Sequence, residues 1–169
     1  ILTNLKEIKN NIFKKENFYL LIIILATFFL DRYSKLYILK NFSESTHYLN
    51  DFINLDLVWN TGIGFGLLSF ESSIIYNSIS IIIGLIIMFL VYYISKSNQA
   101  DKIIFSVIIG GALGNFYDRV FINAVPDFID LHYGNFHWFT FNVADIFITI
   151  GIIAFLLRDF FIKTNNEKN

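Results

Sequence analysis

Two aspartates in the last third of the chain, Asp127 and Asp145, are the residues best suited to chemistry. Asp127 follows a proline in AVPDFID, Asp145 opens an apolar stretch, and 18 residues separate them. Two carboxylates brought close together cannot easily both ionise, so one pKa rises and the pair holds one proton. One member can then act as a base toward a water and the other as an acid toward a carbonyl oxygen. The sequence permits this aspartic-protease chemistry but does not show that the pair meets.

Each aspartate also has a structural explanation. Asn142 can cap a helix with Asp145 three residues later, a variant of the capping box, and an acidic group in a first turn suits the helix dipole. Spacing alone leaves cap and catalytic group equally open for Asp145. For Asp127 alone, a turn in a surface loop is the favoured interpretation. Considered together, the two aspartates favour the catalytic interpretation. They flank one loop that leaves the end of one helix and returns to the adjacent helix, so both carboxylates can reach the same place.

The composition indicates an integral membrane protein. Of 169 residues, 55% are hydrophobic, the mean hydropathy is +0.56, and the apolar residues come in long blocks. A formal net charge of −1 argues against a polybasic nucleic-acid binder. The absence of cysteine removes disulfides, thiolate nucleophiles and cysteine-based metal sites. With one proline and nine glycines there is no room for a disordered linker, so we expect one integral membrane domain over 1–169.

Four apolar blocks predict the elements that must position the aspartates. The predicted spans are 18–39, 74–95, 103–120 and 142–162. The segment 41–73 alternates polar and apolar residues and then becomes rich in glycine, which predicts a small outward-facing sheet of two strands. The segment 121–141 is predicted as an outward loop that carries Asp127. The fold class is therefore an all-α membrane protein with four transmembrane helices and a small outward β-sheet subdomain.

The basic residues predict the orientation of these spans. The termini and the loop between the second and third spans hold nine of the 13 Lys and Arg residues. By the positive-inside rule both termini lie in the cytoplasm, and the aspartates face outward. A cleaved signal peptide is the rival interpretation of the first block. TFFLDRY lacks a small-x-small cleavage site, so we expect this block to be retained.

Other polar residues in the spans have simpler explanations. Gly110 and Gly114 lie one helical turn apart and allow a close helix crossing. Asp31 and Lys35, at i and i+4, can form an ion pair on one helix face. His132 and His137 are a weak metal signal without a cysteine partner or a helical histidine pair, and we interpret them as interfacial aromatic residues.

The third span ends in a polar cluster. Asn115 and Asp118 share a helix face, whereas Asp118 and Arg119 point apart and need separate partners. We expect Asn115 and Arg119 to line a cavity.

Five blocks, in order along the chain, resemble the lipoprotein signal peptidase (signal peptidase II) family of bacterial intramembrane aspartic proteases. The resemblance covers about 31–151. The blocks are D-x-x-S-K at Asp31, Ser34 and Lys35; N-x-G-x-x-F-G at Asn60, Gly62, Phe65 and Gly66; G-G-A-x-G-N-x-x-D-R at Gly110 to Arg119; V-x-D-F at Val125, Asp127 and Phe128; and F-N-x-A-D at Phe141, Asn142, Ala144 and Asp145.

The resemblance implies that Asp127 and Asp145 are the catalytic dyad, with Asp118 as a structural neighbour. The implied lining of the active site is Asn60, Gly62, Asn115, Arg119 and Asn142. The implied substrate is a prolipoprotein whose lipobox cysteine carries diacylglycerol, cleaved just before that cysteine. The resemblance also implies that the enzyme needs no metal and no cofactor for its reaction, and that globomycin-type cyclic peptides block it. We expect a monomer in the bacterial cytoplasmic (inner) membrane, in contact with membrane lipid and without a nucleic-acid partner.

Two positions depart from the family pattern. Gly64 stands where the family often has alanine or serine, and Pro126 stands where it commonly has valine. Pro126 restricts the backbone before Asp127 and biases Val125 toward extended geometry.

Two functions from other classes remain as alternatives. A small transporter would also place Asp, Asn and Arg inside the membrane, although the chain is short and lacks an inverted repeat. A non-enzymatic scaffold would use the aspartates only as caps.

Overall fold

The computed structural model describes residues 18–62 and 73–166, with side chains described for 18–62 and 74–161. Within these ranges, the chain forms four long helices and a four-stranded antiparallel sheet, with one pair of strands after the first helix and the other before the last helix. The helices are α1 (Phe18–Asn41), α2 (Ser73–Lys96), α3 (Gln99–Phe121) and α4 (Val143–Asn166). The strands are β1 (His47–Asn50), β2 (Ile53–Asn60), β3 (Val125–Tyr133) and β4 (Phe136–Phe141). The chain is thus mostly helical, as the apolar blocks predict.

Helix α3 starts four residues before the predicted span, at Gln99. The side chain of Asn98 accepts a hydrogen bond of 3.1 Å from the backbone N–H of Asp101 and so caps the helix. Asp101 itself stabilises the positive end of the helix dipole. Hydropathy could not find this start, because the first turn is polar.

Helix α3 lies at the centre of the helical part and contacts the other three helices. Its side chains Phe105, Ile108 and Ile109 form the apolar core with residues of α1 and α2. Close approach depends on glycine: a Cβ on Gly110 would lie 1.7 Å from Oγ1 of Thr27, and one on Gly111 would lie 2.7 Å from the carbonyl oxygen of Ala144. The predicted packing role of Gly110 is therefore confirmed at the crossing with α1.

The helices bury polar side chains and expose apolar ones. Asp31, Lys35 and Asp118 are completely buried, whereas Ile74 is 76% exposed and Phe89 is 61% exposed. Among the described residues, the helical segments Ile74–Lys96 and Gln99–Phe121 are long and apolar enough to cross a membrane. Helices α1 and α4 have the length, with 24 residues each, but they carry charged residues such as Asp31 and Arg158. Two of the four predicted spans thus meet the criterion by length and composition.

The sheet is larger than predicted, because the predicted loop 121–141 is a β-hairpin. Strands β3 and β4 pair with each other, and β3 pairs with β2, in the order β1-β2-β3-β4. Asp127 therefore lies in a strand opposite Val58, rather than in a surface turn. The β-branched Val125 and Ile129 and the aromatic Phe128 are favourable in a strand, and Val125 before Pro126 is extended as predicted.

The hairpin also corrects the interpretation of one histidine. His132 is only 5% exposed, so it is not an interfacial side chain. Its backbone N–H donates to the carbonyl oxygen of Phe52 at 2.9 Å, which holds β3 against the β1–β2 turn. His132 is buried because its strand, β3, pairs with β2 on one side and β4 on the other.

Some sequence predictions lie outside the described residues. They are the second strand expected in the glycine-rich part of 41–73, the departure at Gly64, the family matches Phe65 and Gly66, and the basic residues before residue 18 and after residue 166.

Candidate active site

The carboxylate of Asp127 is buried and held by two amide side chains. Its Oδ1 accepts a hydrogen bond of 2.6 Å from Nδ2 of Asn142, and its Oδ2 accepts one of 2.8 Å from Nδ2 of Asn60. Asn60 is the last residue of β2, and Asn142 directly precedes α4. Asp127, in β3, therefore lies where the sheet meets the helices. Both carboxylate oxygens therefore have a fixed direction.

Asp145 forms the capping box that its spacing predicts. The backbone N–H of Asp145 donates to Oδ1 of Asn142, and Oδ2 of Asp145 accepts from the backbone N–H of Asn142, both at 3.1 Å. The other oxygen, Oδ1, accepts a hydrogen bond of 2.9 Å from Nδ2 of Asn115 on α3. Asp145 can therefore cap α4 and contact α3 at once, because Oδ2 accepts from the backbone of Asn142 and Oδ1 accepts from Asn115.

Asn142 connects the two aspartates. Its side-chain oxygen caps α4 at Asp145 and its side-chain nitrogen donates to Asp127. Burial first, and then the nearby charge of Asp145, raise the pKa of Asp127 from 3.8 to about 6, although the amide donors oppose this rise. A carboxyl with such a pKa can hold and release a proton near neutral pH, which is the property that acid–base catalysis requires.

Lys35 is a buried cation beneath this pair. Its Nζ lies 2.8 Å from Oδ2 of Asp31, from Oδ2 of Asp118 and from Oδ1 of Asn115. The contact with Asp31 confirms the predicted i,i+4 ion pair. The contact with Asn115 turns the amide so that its nitrogen faces Asp145. Lys35 thus orients a donor to the candidate dyad.

The second acidic partner of Lys35, Asp118, is also bound by Arg32 on α1. The guanidinium of Arg32 stacks over the ring of Tyr117 at 4.6 Å. As predicted, Asp118 and Arg119 point to different partners. These contacts fix α1 against α3 below the site.

Asp31 fixes the start of α4. Its Oδ1 accepts a hydrogen bond of 2.9 Å from the backbone N–H of Ala144, one of the helix donors that have no partner within the helix. Asp31 fits there because Gly114 has no side chain: a Cβ would lie 2.3 Å from Oδ2 of Asp31. Gly114 therefore makes room for a carboxylate, whereas Gly110 serves the helix crossing away from the site.

Arg119 and Gly62 lie on the side of the site next to Asn60. The guanidinium of Arg119 donates through Nη2 to the carbonyl oxygen of Gly62, and the backbone N–H of Gly62 donates to Oδ1 of Asn60 at 2.8 Å. The Arg119 guanidinium lies 5.3 Å from the ring of Tyr76. Within 18–62 and 73–166, the buried Nη1 of Arg119 has no hydrogen-bond partner.

The structure therefore brings together the two aspartates and every predicted lining residue. It also adds contacts that sequence reasoning missed, namely the ring of Tyr76 under Arg119, the pair between Arg32 and Asp118, and the link from Lys35 to Asn115. The last joins residues 80 apart. Local spacing carries no signal for such a contact, although a lysine beside an apolar block is itself a sign that partners are needed.

Comparisons with known proteins find similarity over most of the chain. A family model described as signal peptidase (SPase) II matches residues 23–161. A lipoprotein signal peptidase of Pelagibacter ubique is 54% identical over 160 residues, covering 91% of this chain and 96% of that protein. One of Francisella tularensis subsp. tularensis is 37% identical over 156 residues, covering 89% and 94%. A solved structure of a bacterial membrane enzyme has a TM-score of 0.70 at 30% identity, covering 89% of this chain and 92% of that one.

Proposed function

The chain belongs to the signal peptidase II family, and on this premise we propose that it is an aspartic endopeptidase of diacylglyceryl-modified prolipoproteins. Cleavage falls just before the lipidated cysteine. The observation that carries the proposal is the pair of buried carboxylates, Asp127 and Asp145, hydrogen-bonded to the same residue, Asn142. Family membership favours a protease over a transporter or a scaffold.

In the proposed mechanism, a water lies between Asp127 and Asp145, and the pair holds one proton. The ionised member accepts a proton from the water as its oxygen attacks the carbonyl carbon, and the protonated member donates to the carbonyl oxygen. The tetrahedral intermediate then collapses. The carbon–nitrogen bond breaks, the amine takes the proton gained from water, and the hydroxyl proton returns to the other carboxylate. Titration belongs to the pair.

The surrounding donors support this chemistry by holding the carboxylates in place. Asn60 and Asn142 fix the two oxygens of Asp127, and Asn115 fixes one oxygen of Asp145. In the described part of the chain the buried Nη1 of Arg119 has no acceptor, which supports a role for it as a donor to a peptide carbonyl of the substrate. Pre-positioned donors lower the cost of reorganisation during the reaction.

We further propose that all four helices cross the bacterial inner membrane in one domain, with both termini in the cytoplasm. The exposed apolar side chains of α1 and α4, such as Phe29 (60%) and Leu156 (60%), support contact with lipid. The sheet then lies at the outer face, where a lipidated substrate can reach the dyad, and globomycin-type peptides bind the same site. The protein acts as a monomer.

The proposal is tested by incubating the purified chain with a diacylglyceryl-modified prolipoprotein and with its unlipidated form. We expect cleavage of the lipidated form only, before the modified cysteine. Asp127→Asn and Asp145→Asn each remove one member of the acid–base pair. General acid–base catalysis contributes about 10²- to 10⁴-fold to such rates, so the cleavage rate of each variant should fall by at least that factor.

The matched control is Asp51→Asn, because Asp51 is exposed and binds only the hydroxyl of Tyr48 in the described part of the chain. It should cleave like the wild type. Processing by either dyad variant at close to the wild-type rate, with the variant correctly inserted, would refute the assignment.

A further inference from the structure

Three side chains at the β3–β4 hairpin form a second cluster, separate from the aspartate pair. Asp130, His132 and His137 each offer one ligand atom, and these atoms all lie within 4.8 Å of one another. His132 and His137 are directly opposite across the hairpin, and their rings stack with centroids 5.3 Å apart. Asp130 and His132 are two residues apart in β3, so they share one face of the strand.

Contacts within the cluster converge on one carboxylate oxygen. Oδ2 of Asp130 lies 2.8 Å from Nδ1 of His137 and 3.6 Å from Nδ1 of His132. The first distance is a hydrogen bond and the second is too long for one. Two imidazole nitrogens and a carboxylate oxygen therefore lie close enough together to contact one ion.

One atom of the cluster and one atom of a neighbouring asparagine are buried and make no hydrogen bond to the described residues. Within 18–62 and 73–166, Nδ1 of His132 and Oδ1 of Asn54 are buried without a hydrogen-bond partner. Asn54 is opposite Asp130 in the sheet, and its Nδ2 lies 3.4 Å from Oδ2 of Asp130. A buried polar atom without a partner is costly, so it calls for a bound species. A cation satisfies a nitrogen lone pair and a carboxylate together.

We propose that Asp130, His132 and His137 bind a divalent transition-metal ion, of which Zn²⁺ is the best match. Imidazole and carboxylate are ordinary zinc ligands, and three protein ligands leave a fourth position for water. Zinc requires ligand distances of about 2.0–2.2 Å. The side chain of His137 is 56% exposed, so its ring can turn to meet the ion, while the buried His132 and Asp130 stay in place.

The site has a structural role in the hairpin that carries Asp127. The ligands come from β3 and β4, so the ion joins the two strands three residues beyond Asp127. Metal binding to the folded chain alone stabilises it by mass action. This inference does not depend on the proposed peptidase activity, because the cluster lies outside the aspartate pair.

The test uses the full chain, purified in detergent without a polyhistidine tag and stripped with a chelator. Isothermal titration with Zn²⁺ should give one saturable site per chain, and Co²⁺ should give visible absorption bands of a tetrahedral ion. His137→Ala should weaken binding by more than about 100-fold, because even loss of an outer-shell partner costs 10- to 100-fold. The thermal midpoint should rise with Zn²⁺ in the wild type and stay unchanged in His137→Ala.

The third histidine of the chain supplies a matched control. His47 lies in β1 against the ring of Phe42, away from the cluster, so His47→Ala should bind like the wild type. His137→Ala changes an exposed side chain and should leave the fold intact. His132→Ala removes the other imidazole ligand and should also weaken Zn²⁺ binding. Absence of a saturable site in the wild type, or equal Zn²⁺ affinity in His137→Ala, would mean that His137 and Asp130 form only a hydrogen-bonded pair.

Discussion

Asn142 donates a hydrogen bond of 2.6 Å from its side-chain nitrogen to Asp127, and this bond joins the sheet to the start of α4. The same side chain accepts from the backbone of Asp145 through its oxygen. One amide thus caps a helix and orients a carboxylate of the candidate dyad. Asp145, for which spacing leaves a cap and a catalytic group open, takes part in the cap through Oδ2 and still contacts Asn115 in the candidate site through Oδ1.

Substitutions of Asn142 should separate these two roles. Asn142→Ala removes both and should lower the free energy of unfolding by about 1 kcal/mol through loss of the cap. Asn142→Ser keeps an oxygen that can cap α4 but loses the nitrogen that binds Asp127. We expect Asn142→Ser to retain most of the stability and to lose most of the cleavage, measured by thermal unfolding and by the prolipoprotein assay. Equal activity in Asn142→Ser and the wild type would show that the bond to Asp127 is dispensable.

Removal of Lys35 should be strongly destabilising. Lys35→Met leaves Asp31 and Asp118 buried with less compensation, and breaking such a buried pair costs about 3–5 kcal/mol. Unfolding in detergent measures this loss. Lys40→Met, at the exposed end of α1, is the control and should be nearly neutral.

A double substitution refines the Lys35 prediction. Asp31→Asn added to Lys35→Met removes one of the uncompensated charges while keeping an oxygen for the backbone of Ala144, so part of the stability should return. If the double variant is as unstable as the sum of the single ones, the two side chains do not interact energetically.

Gly114→Ala should disturb the site through Asp31. The new Cβ would lie 2.3 Å from Oδ2 of Asp31, and overpacking of this kind costs about 1–3 kcal/mol. Displacement of Asp31 also weakens its bond to Ala144, so cleavage should fall with stability. Gly84→Ala is the matched helical control: its Cβ would meet the ring of Phe116 at 3.2 Å, a side chain that can move. Identical losses in both variants would argue against a specific role for Gly114.

Stability should depend on pH through Asp127. Its pKa is raised from 3.8 to about 6, so the folded chain binds the proton more tightly than the unfolded chain. This contribution, about 3 kcal/mol for a shift of this size, is complete below pH 3.8 and is lost as the pH rises through about 6. As the pH rises from 4 to 7, the thermal midpoint of unfolding should therefore fall more steeply in the wild type than in Asp127→Asn. Parallel curves would contradict a raised pKa for this group.

Features that depend on local spacing and composition can be predicted from the amino-acid sequence. The apolar blocks located all four helices, Asn142 and Asp145 at i and i+3 predicted a cap, and Asp31 and Lys35 at i and i+4 predicted an ion pair. Each of these depends on helix geometry, which repeats over three or four residues and can be recognised within a short window.

Contacts between polar groups far apart in the sequence depend on how the helices and strands pack. The link from Lys35 to Asn115, the bond from Asn142 to Asp127 and the cluster around Asp130 all cross between elements. The sequence does not predict the hairpin because its strand β3 is stabilised by pairing with β2, about 70 residues earlier, and not by a strong local pattern. A buried charge must find a partner, but packing determines which partner is within reach.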